Sequence, residues 1–187
     1  FDSTGTVDNT FGVNGVIQHP MPPGGVMLNG FESKMRSDGK IISVTSEFFN
    51  QSLLISCYDT LGIVDSSFGQ NGYYFDPNFI FSGYTPKLII QSDDKFIVAM
   101  QNNVQTNIIL ARYTIGGVID STFGTNGYAS TPGSSLEYMS IFNDDSFLIG
   151  YVNGSGSQFT KYSANGVSIP VFSLDGSNIF QFPTGSG

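Results

Sequence analysis

Asp120-Ser121-Thr122-Phe123-Gly124-Thr125-Asn126-Gly127 is the stretch of sequence that indicates the fold, because it recurs almost unchanged at two earlier positions. The other copies are Asp65-Ser66-Ser67-Phe68-Gly69-Gln70-Asn71-Gly72 and Asp8-Asn9-Thr10-Phe11-Gly12-Val13-Asn14-Gly15. The phenylalanines of successive copies lie 57 and 55 residues apart. This period is in the range of one four-stranded propeller blade, so the motif predicts an array of β units.

A weaker fourth copy lies at Phe172-Ser173-Leu174-Asp175-Gly176. Between the copies, short β-branched and aromatic runs alternate with turn residues, as in Ser37-Asp38-Gly39-Lys40, whose Asp-Gly pair predicts a two-residue hairpin. No stretch has the 3.6-residue apolar period of a helix. We therefore predict one repeat domain over residues 1–187, with units at about 8–64, 65–119 and 120–168 and partial repeats at 1–7 and 169–187.

The predicted fold is all-β, a propeller-like arc of about three four-stranded blades with an incomplete blade at each end. Residues 1–7 align with the segments before the second and third motifs, which predicts the closing edge of a blade. Residues 178–182 are predicted to form the first strand of a blade that the chain does not finish. Since propellers have four to eight blades, three are too few to close.

The sequence also carries a family resemblance. The order Asp-Ser-Thr-Phe-Gly-x-Asn-Gly, then Gln91-Ser92-Asp93-Asp94-Lys95 before a β-branched strand, then Ala111-Arg112-Tyr113 before the next motif, resembles the delta-60 repeats of bacterial β-propeller-like proteins. The resemblance covers most of the chain. It implies a propeller-like fold, no enzymatic activity, no catalytic residues and a secreted or surface location. In this sequence Asp94 and Asp145 occupy the hairpin-turn position that Gly39 occupies in the first unit, which is a departure from the repeat pattern.

Composition limits the classes of partner. The 187 residues have a formal net charge of −8, which disfavours contact with nucleic acid or anionic membranes. No apolar run approaches the roughly 18 residues that span a bilayer. The first residue is Phe1, in the middle of a repeat, which suggests a processed product or a piece of a longer chain.

The motif residues have a structural and a metal-binding interpretation. Asp side chains in such loops hydrogen-bond the backbone two residues on, and the glycines supply conformations closed to other residues, so we favour structural turns. The alternative is calcium held by the aspartates together with Asn14, Asn71 and Asn126. We expect no metal and no cofactor. The residues expected to hold the repeat together are Asp8, Phe11, Gly12, Gly15, Asp65, Phe68, Gly69, Gly72, Asp120, Phe123, Gly124 and Gly127.

Catalysis has little support in the sequence. His19 is the only histidine and Cys57 the only cysteine, which excludes a multi-histidine metal site and an internal disulfide. A hydrolase would have to use the carboxylate pairs Asp93-Asp94 and Asp144-Asp145, which the pattern places on solvated hairpin tips. We expect no enzymatic activity.

The expected function is that of an extracellular or cell-surface structural subunit. Free sheet edges recruit further strands, so we expect head-to-tail self-assembly into a filament or fibre by strand complementation. The alternative is a fragment of a larger secreted propeller that binds glycan or protein through its loops, where aromatic residues cluster. The residues expected to form the assembly contacts are Phe1, Val7, Ile179, Phe180 and Phe182. The aromatic residues of the loop are Tyr73, Tyr74, Phe79, Phe81 and Tyr84.

Overall fold

Three antiparallel β-sheets follow one another along the chain. The computed structural model describes residues 4–17, 28–47, 52–79, 85–102, 104–169 and 179–181, and these residues form strands, turns and loops without a helix. Sheet I contains β1 (Leu28–Met35), β2 (Ile41–Glu47), β3 (Ser52–Tyr58) and β4 (Tyr73–Asp76). Sheet II contains β5 (Lys87–Ile90), β6 (Phe96–Gln101), β7 (Asn107–Tyr113) and β8 (Tyr128–Pro132). Sheet III contains β9 (Ser135–Ile141), β10 (Phe147–Asn153), β11 (Gly156–Tyr162) and β12 (Ile179–Gln181).

Each sheet is a meander in which every strand pairs with the next one along the chain. All of these pairs are antiparallel, so every connection within a sheet is a hairpin or a return loop. The all-β prediction is therefore confirmed. Within the described ranges no helix is long and apolar enough to cross a membrane.

The central strands of sheet II are largely apolar on both sides because this sheet lies between the other two. In β6, Phe96 and Val98 belong to the core shared with sheet I, while Ile97 and Ala99 belong to the core shared with sheet III. Side chains alternate along a strand, so one strand supplies both cores. We call the face of a sheet that is directed toward the next sheet its forward face.

The hairpin tips differ from the prediction by one residue. Arg36 N–H donates to the Lys40 carbonyl and Gly39 N–H to the Arg36 carbonyl, so the loop has three residues rather than two. A three-residue loop needs a left-handed residue at its third position, and Gly39 supplies it with φ of 81°. Asp94 and Asp145 adopt the same conformation, with φ of 61° and 60°. Aspartate tolerates this region better than most residues, so the turn is kept without glycine.

The boundaries of the sheets do not coincide with the boundaries of the sequence units. The strand after each motif returns to the sheet before it: β4 follows Gly72 and pairs with β3, and β8 follows Gly127 and pairs with β7. β12 likewise pairs with β11 as the fourth strand of sheet III. The prediction that residues 178–182 open an unfinished blade is therefore wrong. An antiparallel return to the preceding strand is the local connection, and the repeat alignment does not indicate which neighbour a strand pairs with.

Residues 4–17 come before sheet I and contain a turn at Gly5 and the motif loop. Val13 and Val16 form one isolated antiparallel bridge, and no longer strand lies within this range. The closing blade edge expected at residues 1–7 stays a prediction, since Phe1, Asp2 and Ser3 lie outside the described residues.

Candidate functional site

The motif loops are tight turns held by the side chain of their first residue. Asp120 accepts hydrogen bonds on Oδ1 from the backbone N–H of Thr122 at 3.1 Å and from its hydroxyl at 2.6 Å. Ser67 makes the same pair of bonds to Asp65, and Thr10 makes them to Asp8. The loop ends at Gly15, Gly72 and Gly127, with φ between 84° and 96°. These Asx and ST turns use one carboxylate oxygen of each aspartate in the loop itself.

Each motif phenylalanine lies beneath a glycine turn that follows the third strand of the next sheet along the chain. A Cβ placed on Gly117 would lie 2.4 Å from the ring of Phe68, and one on Gly166 would lie 2.6 Å from the ring of Phe123. Phe11 has the same relation to Gly62, at 3.1 Å. At Gly117 and Gly166, only a residue without a side chain leaves room for the ring. We call this contact the wedge joint.

Backbone hydrogen bonds complete each wedge joint. The N–H of the glycine that follows the phenylalanine donates to a carbonyl in the turn: Gly12 to Leu61 at 2.6 Å, Gly69 to Gly116 at 2.9 Å and Gly124 to Asn165 at 2.9 Å. Phe68 then stacks on Phe96, whose ring lies 5.2 Å from that of Tyr113. Phe123, Phe147 and Tyr162 repeat this stack in sheet III with closely similar centroid distances.

The hairpin tips form a second contact between sheets. Ser37 donates its backbone N–H and its hydroxyl to the carboxylate of Asp94, at 2.8 and 2.5 Å. Ser92 does the same to Asp145, at 2.8 and 2.6 Å. Burial raises the pKa of Asp94, but the two bonds from Ser37 outweigh it and lower the pKa below its usual value. These carboxylates join one sheet to the next, which accounts for aspartate where sheet I has Gly39.

Cations strengthen the joints. Arg112 donates to the Ala164 carbonyl at 2.8 Å and to Asn165 Oδ1 at 2.9 Å, so it connects β7 to the turn of sheet III. It also donates to Asp120 at 3.0 Å and lies 5.2 Å from the centre of the Phe123 ring. In sheet I, Arg36 donates to the equivalent turn carbonyl, that of Ile115, at 3.0 Å. Equivalent turn carbonyls thus accept a hydrogen bond from arginines at two different positions of the repeat.

The motif aspartates are held ionised by these contacts. Lys40 donates to Asp65 at 2.7 Å, and this bond, together with that from Ser67, lowers the pKa of Asp65 to about 2. Burial raises the pKa of Asp120, but bonds from Thr122 and the charge of Arg112 lower it to about 2. A general acid must carry a proton near neutral pH, and these carboxylates do not.

Cys57 occupies in sheet I the position that Arg112 occupies in sheet II. Its side chain is fully buried among the residues between sheets I and II. Burial raises the pKa of the thiol to about 11, so the thiolate needed for nucleophilic chemistry is scarce at neutral pH.

The forward face of sheet III differs from those of the other two sheets. Ile42 and Val44 of sheet I, and Ile97 and Ala99 of sheet II, are fully buried against the next sheet. On the corresponding face of sheet III, among the described residues, Tyr138 and Phe142 are 48% and 41% exposed. Lys161, at the position of Arg112, lies 4.5 Å above the ring of Phe142.

The residues predicted to mediate assembly are distributed unevenly. Val7 is 44% exposed and its side chain lies against Gly15, as Val64 lies against Gly72 and Ile119 against Gly127. It therefore belongs to the repeated loop. Ile179 and Phe180 lie in β12, which pairs within sheet III. Phe1 and Phe182 lie outside the described residues.

One buried hydrogen-bonded group, centred on the carboxylate of Asp76, was not predicted from the sequence. Asp76, at the end of β4, accepts hydrogen bonds from Tyr113 Oη at 2.7 Å and from Tyr128 Oη at 2.9 Å. Asn78 N–H donates to the same carboxylate. Burial raises the pKa of both tyrosines, so they remain proton donors. The partners are 37 and 52 residues away in sequence, and no local pattern connects them.

Beside this cluster lies an open cavity of about 560 Å³, lined by Asn78, Tyr128 and Ser130 among others. The aromatic loop residues are divided: Tyr73 and Tyr74 are half-buried, Phe79 is buried, and Phe81 and Tyr84 lie outside the described residues. No group of three or more His, Cys, Asp or Glu side chains that could hold a metal ion occurs in the described part of the chain.

Comparison with protein-family models gives no match for this chain, and a search of curated proteins gives no match either. Inferences about its function therefore rest on the geometry.

Proposed function

We propose that this chain is a non-enzymatic structural module that assembles head to tail with copies of itself outside the cell. The three sheets form a propeller-like arc in this proposal. Support for the arc comes from the first strands β1, β5 and β9, which contact one another in turn. They border a cavity of about 290 Å³ lined by residues such as Met35, Ile90 and Met139. Meanders that share one inner edge are typical of propeller blades.

The observation that carries the proposal is the forward face of sheet III. On this face, Ile42 and Val44 of sheet I and Ile97 and Ala99 of sheet II are fully buried, whereas Tyr138 and Phe142 of sheet III are 48% and 41% exposed in the described structure. Apolar surface of this kind gains about 25 cal/mol for each Å² removed from water. A second copy that stacks on this face extends the series of sheets. The contact uses different surfaces of the two partners, and such contacts give rings or filaments.

The mode of assembly differs from the sequence-based expectation. Because β12 pairs with β11, the proposed contact is stacking of sheet faces and not insertion of residues 178–182 into a neighbour. The location outside the cell rests on the resemblance to delta-60 repeats.

Sedimentation velocity across a concentration series, with negative-stain electron microscopy, tests the proposal. Wild-type protein is expected to form larger species as its concentration rises, and Tyr138→Glu is expected to weaken association because it places a charge on the stacking face. Val104→Glu is the matched control, since Val104 is 65% exposed in the loop between β6 and β7. A wild-type chain that stays monomeric throughout the series would contradict the proposal.

A second candidate is binding of a glycan or protein through the loops of a larger propeller. The cavity beside Tyr128 favours it, because an aromatic ring next to amide and hydroxyl groups suits a sugar. Titration of a glycan panel followed by NMR would show shifts confined to this cavity, and Asn78→Ala would weaken them. No shift with any glycan would count against this candidate.

A further inference from the structure

Strand β8 is the outer edge of sheet II, because it pairs with β7 and with no other described strand. Backbone hydrogen bonds between the two segments lie just before and just after β8: Arg112 N–H donates to the Gly127 carbonyl at 3.2 Å, and Gly133 N–H donates to the Thr106 carbonyl at 3.0 Å. Along an antiparallel pair, residues bonded to the partner strand alternate with residues whose backbone groups point away from it. Ser130 lies an odd number of positions from each glycine, so its N–H and C=O point out of the sheet.

The free backbone groups of this edge are few. Tyr128 also points outward, but its N–H and C=O exchange hydrogen bonds with Thr125 at 3.1 and 2.7 Å. Pro132 points outward too, but proline has no N–H. In β8, all of which the structure describes, Ser130 is therefore the residue whose outward N–H and C=O are both without a bond. A peptide that extends a sheet needs such pairs at every second residue, so this edge is too short to bind another strand.

The outward backbone groups of Ser130 border the open cavity of about 560 Å³. Ile109 lies directly across from Ser130 in the register of β7 and β8, and the two side chains share one face of the sheet. Tyr128 lies on the same face, two residues away along β8. Asn78 also lines the cavity; its Nδ2 donates to Tyr128 Oη at 3.0 Å, and its Oδ1 accepts from no described residue. The cavity thus combines a backbone donor and a backbone acceptor with an apolar wall and an amide oxygen.

We propose that this cavity binds a sugar with an N-acetyl group, held by the backbone of Ser130. The N–H and C=O of one extended residue lie side by side and point the same way, so they match an acceptor and a donor on neighbouring carbons of a sugar ring. The acetamido N–H donates to the Ser130 carbonyl, and the hydroxyl next to it accepts from the Ser130 N–H. The methyl group packs against Ile109 and the ring of Tyr128, which a sugar without this group leaves in water.

This inference rests on the second candidate function, glycan binding at this cavity, and adds the class of sugar. A sugar without the N-acetyl group can make the two backbone hydrogen bonds, but it buries less of the apolar wall. One small apolar group in a fitting pocket discriminates between ligands by about tenfold or more. An N-acetylated sugar is therefore expected to bind about tenfold more tightly than its parent sugar.

NMR titration of the full 187-residue chain, labelled with nitrogen-15, tests the ligand. The probes are N-acetylglucosamine and N-acetylgalactosamine, each compared with its parent sugar, and triglycine as a peptide. At least one N-acetylated sugar is expected to shift the amide resonance of Ser130 and to bind more tightly than its parent. Equal affinities within each pair, or shifts with triglycine alone, would overturn the acetamido site. Glycan binding itself stands if other sugars shift this cavity, and it fails together with the inference if no sugar does.

Two variants at Ser130 isolate the backbone donor. Ser130→Ala removes the hydroxyl but keeps the N–H, whereas Ser130→Pro removes both. An edge strand tolerates proline where the N–H faces outward, and Pro132 already occupies such a position in β8. Ser130→Pro is expected to bind the N-acetylated sugar at least about tenfold more weakly than Ser130→Ala, with an unchanged melting temperature. Equal affinity in two folded variants would overturn the role of Ser130, and the wild-type titration tests the site without either variant.

Discussion

Phe68 illustrates how single side chains hold neighbouring sheets together. It comes from the loop between β3 and β4 of sheet I, yet its ring lies under Gly117 and stacks on Phe96 of sheet II. It is 2% exposed, so its removal leaves a cavity between two sheets. At the residue scale, the motif therefore forms a contact between neighbouring sheets.

Phe68→Ala should lower the free energy of unfolding by about 3 to 5 kcal/mol, the usual loss for a buried phenylalanine. Urea denaturation followed by far-ultraviolet circular dichroism measures this change. Phe75→Ala is the control, since Phe75 lies in β4 but is 40% exposed, and a small effect is expected there. Equal losses in the two variants would contradict the wedge joint.

The residue scale is also where sequence-based prediction succeeded and failed most clearly. The positive φ of Gly72 and the turn bonds of Asp65 follow from local chemistry, which the sequence contains in full. The bond from Ser37 to Asp94 joins residues 57 positions apart, and only the repeat period hints at it. The Asp76 cluster has no counterpart in any local pattern, because its tyrosines come from β7 and β8.

At the scale of strands and sheets, pairing was the part that the sequence left undetermined. The repeat predicts where strands begin and end. However, β4, β8 and β12 are short, and their sequences are compatible with pairing to either the preceding or the following strand. The structure pairs each with the strand before its loop, so the motif loops at 65–72 and 120–127 are returns within one sheet. The loops that carry Phe68 and Phe123 also reach forward with these rings, so the same segment closes one sheet and contacts the next.

Acid should weaken the joint between β2 and the second motif loop. Contacts with Lys40 and Ser67 lower the pKa of Asp65 to about 2 from its ordinary value of 3.8. A carboxyl with a depressed folded-state pKa contributes stability that is present above its unfolded pKa and is lost as the pH falls through the folded value. The free energy of unfolding should therefore fall between pH 3.8 and about 2.

Asp65→Asn should reduce the pH dependence of the free energy of unfolding in this range. Urea denaturation at a series of pH values measures this dependence. Lys40→Met removes the principal cause of the lowered Asp65 pKa, so it should reduce the pH dependence in part. An unchanged slope in Asp65→Asn would show that other groups govern acid unfolding.

For the whole molecule, we predict that calcium is not required for folding. One oxygen of each motif aspartate serves its own turn, and Asp65 and Asp120 also contact Lys40, Lys95 or Arg112. Calcium needs six to eight oxygen ligands, and cations next to these carboxylates compete with it. Dialysis against a chelator should leave the melting temperature unchanged by differential scanning calorimetry. A drop that added calcium reverses would favour the metal-binding interpretation of the loops.

The phase difference between sheets and sequence units bears on how such a chain changes length during evolution. A gene duplication or deletion can have both breakpoints at matching motif positions, such as Gly69 and Gly124. Such an event adds or removes one unit, and the strands on either side of the new junction can still pair in one sheet. The new junction lies inside a sheet, where β-strand pairing is regenerated by the same residue types. Unequal recombination at the repeated motif could therefore shorten or lengthen the array without inventing a new interface, and relatives with different numbers of units would share the same joints.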